Sequence, residues 1–232
     1  MARKPRLAPG GLVYHVMNRT WGKSELFEDS GDFEAFERVL VESLKREPAM
    51  KLCAYCLMPN HFHLVLWPEK DDILSRFMQW LAMTHALRWH AHRHSVGRGH
   101  LYQSRFKSFV VQQDQHFLRL CRYVERNALR AGLVERAEDW RWGSLYSRSS
   151  RSAQMKQALS PWPVRMPRNW VARVNEPQDD KELAALRQSR HRGKPSGEPD
   201  LAIATASRLG IESSMRPLGR PKKRVVDECM SF

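Results

Sequence analysis

His61 and His63 stand two residues apart in Met58-Pro59-Asn60-His61-Phe62-His63-Leu64-Val65-Leu66, a stretch whose apolar content predicts a buried strand. Side chains alternate along a strand, so both imidazoles face one way while Phe62 and Leu64 face the other. Two imidazoles on one face form part of a divalent-metal site, and the same pair elsewhere serves as hydrogen-bonded filler. A zinc knot of Cys53, Cys56, His61 and His63 is a third arrangement. Its C-x-x-C spacing suits zinc, but the connection to the histidines is far shorter than usual, and a strand over 51–57 would send Cys53 and Cys56 to opposite faces.

Tyr123 lies downstream in Arg122-Tyr123-Val124-Glu125-Arg126-Asn127. On a helix, at about 100° per residue, Phe117, Leu120, Cys121 and Val124 form the buried face. Tyr123 and Asn127 fall one turn apart along its edge, with His116 and Arg130 near the same edge and Arg122 and Arg126 further out. A tyrosine so placed is ordinarily a packing residue with a wet hydroxyl. Beside two metal-competent imidazoles, an amide at i+4 and arginines suited to phosphate, it becomes a candidate nucleophile. Two imidazoles and an amide oxygen with open positions suit Mg²⁺ or Mn²⁺, which would polarise a phosphodiester for in-line attack by the tyrosine oxygen.

The elements that must position these groups follow from periodicity. Leu12-Val13-Tyr14-His15-Val16-Met17 reads as a first strand. Ser30 or Asp32 caps a helix carrying Phe33, Phe36, Val39, Leu40 and Leu44, closed before Pro48. Residues 52–57 and 61–67 form two strands about a Pro59-Asn60 turn. Asp71 or Asp72 opens a longer helix with Ile73, Phe77, Trp80, Leu81, Thr84 and Leu87 on one face. Residues 101–111 make a fourth strand, and Asp114 caps a third helix that stops at Gly132. The order β-α-β-β-α-β-α with an antiparallel hairpin predicts an α+β fold, its helices packed mainly on one face of the sheet.

Composition sets the partner class. A net charge of +14 and a pI near 10.1 call for a polyanion, most economically nucleic acid. No run approaches the ~20 apolar residues of a membrane span, and no secretory leader is recognised at the start. Four cysteines in 232 residues fit reduced thiols in a cytosol rather than a disulfide framework. From about Arg148 the texture changes, with eight of the thirteen prolines and many Ser, Arg and Lys. This predicts an extended basic arm over 148–232 with short helices at 181–190 and 201–209, rather than a second core. Arg192-Gly193-Lys194-Pro195 and Leu218-Gly219-Arg220-Pro221-Lys222-Lys223-Arg224 could lie extended in a minor groove.

Four segments occur in order: Tyr14-His15-Val16-Met17-Asn18-Arg19, Met58-Pro59-Asn60-His61-Phe62-His63, Gly99-His100-Leu101-Tyr102-Gln103-Ser104-Arg105-Phe106-Lys107-Ser108, and Arg122-Tyr123-Val124-Glu125-Arg126-Asn127-Ala128-Leu129-Arg130-Ala131-Gly132-Leu133-Val134. Together they resemble the single-tyrosine HUH transposases, in particular the REP-associated tyrosine transposases. The resemblance covers roughly residues 3 to 147, and the tail extends it to about residue 224. It implies a ferredoxin-like catalytic domain over 1–147 and a DNA-binding arm over 148–232. It further implies a single-stranded-DNA endonuclease and strand transferase acting on REP hairpins through a 5′-phosphotyrosine at Tyr123. His61 and His63 are similar to the family's metal ligands, and Asn127 matches the position of a further polar ligand. A cytoplasmic, nucleoid-associated bacterial protein is implied, a monomer in preference to a dimer.

Several cations are expected on the DNA. Arg105 and Lys107, two apart on the fourth strand, share a face, and Arg3, Lys4 and Arg6 form an N-terminal arm. Arg19, Arg126, Arg130, Arg220, Lys222, Lys223 and Arg224 complete the expected DNA-binding set. Two alternatives share this basic surface: a catalytically silent DNA-binding regulator, and an RNA-binding or RNA-processing protein, which the 2′-hydroxyl would distinguish.

Overall fold

The computed structural model describes residues 7–21, 24–149 and 153–216. Arg3, Lys4, Arg6, Arg220, Lys222, Lys223 and Arg224 lie outside the described residues. Four strands form one antiparallel sheet: β1 (Val13–Arg19), β2 (Met50–Met58), β3 (His61–Pro68) and β4 (Lys107–Val111), in the order β2-β3-β1-β4. The first helix, α1 (Ser30–Arg46), runs between β1 and β2, and α2 (Ile73–His92) between β3 and β4. After β4 come α3 (Gln115–Glu125), α4 (Asn127–Arg130), α5 (Ser144–Ser149), α6 (Ala153–Ala158), α7 (Trp170–Asn175), α8 (Asp180–Arg192) and α9 (Pro199–Arg208).

Alternation along the strands divides the interior in two. On one face Tyr14, Val16, Tyr55, Leu57, Phe62 and Leu64 meet α1 and α2, the two long helices, in one core. Aromatic rings set that contact, with Phe36 4.8 Å from Phe62 and Phe27 4.6 Å from Phe33 between ring centroids, each pair adding about 0.5–1.5 kcal/mol beyond area burial. The other face is covered as well, where Val13, Cys56, Val65 and Phe109 pack with Phe117, Leu120 and Val124 of α3.

Several local expectations are corrected by specific contacts. Asp29, not Ser30 or Asp32, caps α1, its carboxylate accepting from Asp32 N at 3.1 Å. The fourth strand is only 107–111, because Tyr102 turns toward α2, where its hydroxyl meets His85 Nδ1 at 2.7 Å. Arg105 therefore precedes β4 and Lys107 begins it. The third helix does not run unbroken to Gly132. It pauses at Arg126, where the Asn127 amide donates to Tyr123 O at 3.1 Å. A register shift between Leu52 and Ala54 breaks the alternation of β2, so Cys53 and Cys56 both join the second core. Their thiols are buried there and pushed up to about 12 by that burial.

The segment expected as an extended arm is packed as far as residue 216. Trp170, Val174, Leu183 and Leu186 sit in the core under α3, and Met155 and Leu209 in the core with α1 and α2. Each short helix contributes only one or two apolar anchors, too sparse a pattern to register as a core in sequence. Both outer strands are also capped by chain that follows β4. Leu57 N donates to Trp142 O at 2.9 Å and Ser160 N to Leu52 O at 2.8 Å along β2. Along β4, Ser196 N donates to Val110 O at 2.8 Å and Gln112 N to Ser196 O at 2.9 Å. The motif Arg192-Gly193-Lys194-Pro195 serves this turn: Gly193 closes α8 at φ +72°, a left-handed conformation that suits glycine, and Pro195 is buried.

Candidate active site

Antiparallel register places the histidines. Arg19 pairs with His61 and Met17 with His63, while Met58 and Cys56 flank them from β2. Directly opposed residues share a face, so His61 and His63 point together as their spacing predicts, with ring centroids 4.9 Å apart. A third histidine joins them. His15 of β1 lies on the same face and bonds His63, Nε2 to Nδ1, at 2.9 Å. Its placement on a strand was legible; its contact with His63 depends on the β1–β3 register.

Tyr123 descends onto this cluster from α3. Its ring centroid is 5.8 Å from that of His63 and 6.3 Å from that of His15, both edge-on. Asp114 fixes the start of α3 by accepting from His116 N at 2.7 Å. Phe117, Leu120, Cys121 and Val124 are fully buried as the helical spacing requires. Tyr123 itself is buried rather than wet, and two guanidinium groups contact it. Arg130 lies over the ring at 4.7 Å from its centroid, and Arg190 Nη1 donates to the Tyr123 hydroxyl at 3.3 Å.

Electrostatics leave the three imidazoles neutral. Burial lowers His61 to about 4, with Arg190, Arg130 and Arg19 adding to the shift. Burial likewise takes His15 to about 3 and His63 well below the ordinary range. Neutral imidazole keeps a ring-nitrogen lone pair, which is what a metal requires. The Nδ1 of His61 is tied to Asn60 Oδ1 at 2.6 Å, which leaves Nε2 as its lone-pair nitrogen. The Nε2 of His63 is buried with no hydrogen-bond partner. With the proton on His63 Nδ1 toward His15, that Nε2 is also a free donor atom. A buried orphan nitrogen beside a second neutral imidazole fits a divalent cation. Among the described residues, no three His, Cys, Asp or Glu side chains form a metal-holding group, so the remaining ligands must come from other chemistry.

The other expected residues divide clearly. Asn127 is buried at the edge of the site, but Arg130 Nη2 donates to its Oδ1 at 2.5 Å and its own amide donates to Tyr123 O. Arg19 lies opposite His61, exposed, with its Nε 2.5 Å from Gln103 Oε1. Arg105, just before β4, and Lys107, its first residue, are exposed. Arg126 turns toward the later helices, its guanidinium donating to the carbonyls of Val174, at 3.0 Å, and Asn175. It ties α7 to α3, and Arg122 likewise donates to the carbonyls of Glu176 and Pro177. Arg190, not singled out from sequence, reaches the site from 67 residues beyond Tyr123, and no local spacing could have shown it.

A sheet carrying paired histidines on one face and a tyrosine helix laid across them is the arrangement that the resemblance to single-tyrosine transposases implies. The family of IS200-like transposases matches residues 10–127, half of the chain, and the chain belongs to that family. A protein of Haemophilus influenzae assigned as a REP-associated tyrosine transposase is 26% identical over 148 residues, 59% of this chain and 81% of that one. Among solved structures, a REP-associated tyrosine transposase bound to a REP hairpin is similar at a TM-score of 0.55 and 16% identity, over 77% of this chain and 93% of that chain. That last likeness speaks for the fold. No helix among the described residues is long and apolar enough to cross a membrane.

Proposed function

We propose that this transposase is a metal-dependent single-stranded-DNA endonuclease and strand transferase that acts on REP-type hairpins through a 5′-phosphotyrosine at Tyr123. The observation that carries the reading is the meeting of Tyr123 with His63 at 5.8 Å, on the face that His63 shares with His61. His61 and His63 would hold Mg²⁺ or Mn²⁺, and Asn127 Oδ1 would join them where Arg130 releases it. When bound, such an ion supplies Lewis-acid polarisation of the phosphodiester.

The chain's own groups do the rest. The Tyr123 oxygen attacks phosphorus in line, the bond from phosphorus to the 3′ oxygen breaks, and that oxygen takes a proton from water while the tyrosine proton passes to solvent. A later 3′ hydroxyl attacks the phosphotyrosine and restores Tyr123. The covalent link conserves the bond, so no nucleotide triphosphate is needed. The buried wall of β1 and β3 excludes bulk water from one side of the nucleophile, and Arg130 holds positive charge where phosphate must sit. Such a protein works in the cytoplasm at the nucleoid, as a single chain.

The test is a denaturing gel of the protein incubated with labelled hairpin oligonucleotides and Mn²⁺. A covalent adduct is expected, lost in Tyr123→Phe while the Kd for DNA stays within about threefold. An adduct that persists in Tyr123→Phe refutes the nucleophile. Binding without any adduct in the parent chain points to a silent regulator, and equal use of a ribonucleotide hairpin points to RNA.

A further inference from the structure

Several arginines of the body are matched by carboxylates. Arg76 pairs with Glu47, Arg88 with Glu42, Arg93 with Asp32 and Arg141 with Glu34. Arg190 is different: its contact is the hydroxyl of Tyr123, at 3.3 Å, and no carboxylate partner is found among the described residues. It lines a cleft of about 350 Å³ with Arg105, Lys107, His191 and Arg192, and no acidic side chain lines that cleft. Cations gathered in a cleft without an acid, one of them reaching the Tyr123 hydroxyl, suit an anion, and a guanidinium fork suits phosphate above all.

The position of Arg190 is built. Leu183 and Leu186 anchor α8 in the core beneath it, and Asp179 caps its start by accepting from Lys181 N at 2.9 Å. Gly193 ends the helix three residues after Arg190, and Ser196 then bonds the β4 edge. The guanidinium is thus carried on a helix held at both ends, outside the stretch matched by the family.

We propose that Arg190 is a catalytic residue of strand transfer, binding the non-bridging oxygens of the phosphate that Tyr123 attacks, while Arg105 and Lys107 take the next phosphates along the β4 edge. This rests on Tyr123 being the nucleophile. As the bond from the tyrosine oxygen to phosphorus forms and the bond to the 3′ oxygen breaks, negative charge on the phosphoryl group rises. A fixed cation beside it stabilises that state more than the ground state. The bond count at phosphorus is conserved and no electron is transferred, so no co-reactant is required.

The experiment uses the full chain with Mn²⁺ and labelled single-stranded and hairpin oligonucleotides. It measures single-turnover adduct formation and, separately, Kd by anisotropy. Arg190→Ala should slow adduct formation by about 10²–10³-fold and weaken binding by less than about tenfold. Arg190→Lys should recover part of the rate, and added guanidinium should partly rescue Arg190→Ala but not Tyr123→Phe. Arg187→Ala, exposed on the same helix, should behave as the parent. The lysine variant and the guanidinium rescue keep the test decisive even if the alanine variant folds poorly.

An Arg190→Ala rate equal to the parent's overturns the proposal. So does a faster rate, which would make Arg190 a plug on Tyr123, or a slowed rate with neither lysine recovery nor guanidinium rescue. An adduct surviving in Tyr123→Phe instead removes the nucleophile on which both readings stand. Loss of adduct in Tyr123→Phe with full activity in Arg190→Ala leaves that reading intact and defeats this one alone.

Discussion

Trp170→Phe tests whether the C-terminal half is bound into the catalytic body. Trp170 Nε1 donates at 2.7 Å to Glu125 Oε2, and Ser144 Oγ donates at 2.6 Å to the other carboxylate oxygen. Glu125 is buried at the end of α3, two residues from Tyr123. A hydrogen bond to a charged group contributes about 1.5–3 kcal/mol. Trp170→Phe also loses part of an edge contact with Trp162, whose centroid is 5.0 Å away, so packing and bonding must be separated. A double-mutant cycle with Glu125→Met does this, because the packing loss is common to both backgrounds and the bond exists in only one. The expected coupling is about 2 kcal/mol, read as a shift of roughly 0.7 M in the urea midpoint if m is roughly 3 kcal/mol/M.

The same bond predicts a pH dependence. Burial holds Glu125 above the usual carboxylate value of 4.5, while Ser144, Arg148 and Trp170 pull it back. A carboxyl raised in the folded state binds its proton more tightly folded than unfolded. Its contribution to stability is therefore full below 4.5 and declines as pH rises through the folded value. Removing the Trp170 donor raises Glu125 further, so the deficit of Trp170→Phe should widen between pH 4.5 and pH 8. Far-UV circular dichroism in urea at both pH values measures it. A coupling below about 0.5 kcal/mol, or a deficit that does not change with pH, would refute the reasoning.

His15→Phe keeps a ring against Phe109 but removes the bond to His63 Nδ1, and calorimetry should show Mn²⁺ binding weakened by about 10–100-fold; unchanged affinity would make His15 filler. For Asp32, burial opposes its charge, but the Arg93 fork and the Glu28 N–H hold it below its usual 3.8. The stability they give is present above that value and lost as pH falls through the folded one. Arg93→Met should accordingly lower the melting temperature at pH 7, with the gap closing in acid; a constant gap would assign the effect to packing. A chain ending at Ser147 lacks Trp170, Val174, Leu183 and Leu186 from the core under α3 and should be recovered insoluble or without a cooperative melt; a cooperative melt near the parent's would show that 1–147 stands alone.

What could be seen in the sequence was local. Alternation alone put His61 and His63 on one face, and helical spacing put Phe117, Leu120 and Val124 inside with Tyr123 at their margin. Asp114 was identifiable as a cap because a cap is a contact over two or three residues. The misses are contacts over distance or one-residue defects. A single register shift in β2 turned Cys53 to the side of Cys56, and the side chain of Asn127, by taking the Tyr123 carbonyl, interrupted a helix whose pattern reads straight through. The fourth strand looked long because Leu101, Tyr102 and Phe106 lead into the apolar run of 109–111, yet Tyr102 is drawn away by His85. Arg190 and the packing of residues 153–216 depend on short helices finding a surface that exists only once the sheet has formed.

The capping of both outer strands has a consequence for synthesis. The sheet's last strand ends at residue 111, but the β2 edge is shut by residues 142 and 160 and the β4 edge by residue 196. At roughly 5–20 residues per second, a nascent chain carries its complete set of strands for about 4–17 s before residue 196 is made. Through that interval the β4 edge and the apolar side of α3 stand open, the conditions under which strands pair with neighbouring chains. Ribosome pausing between codons 112 and 196 prolongs the hazard, and the yield of soluble protein becomes a function of translation speed as well as of final stability.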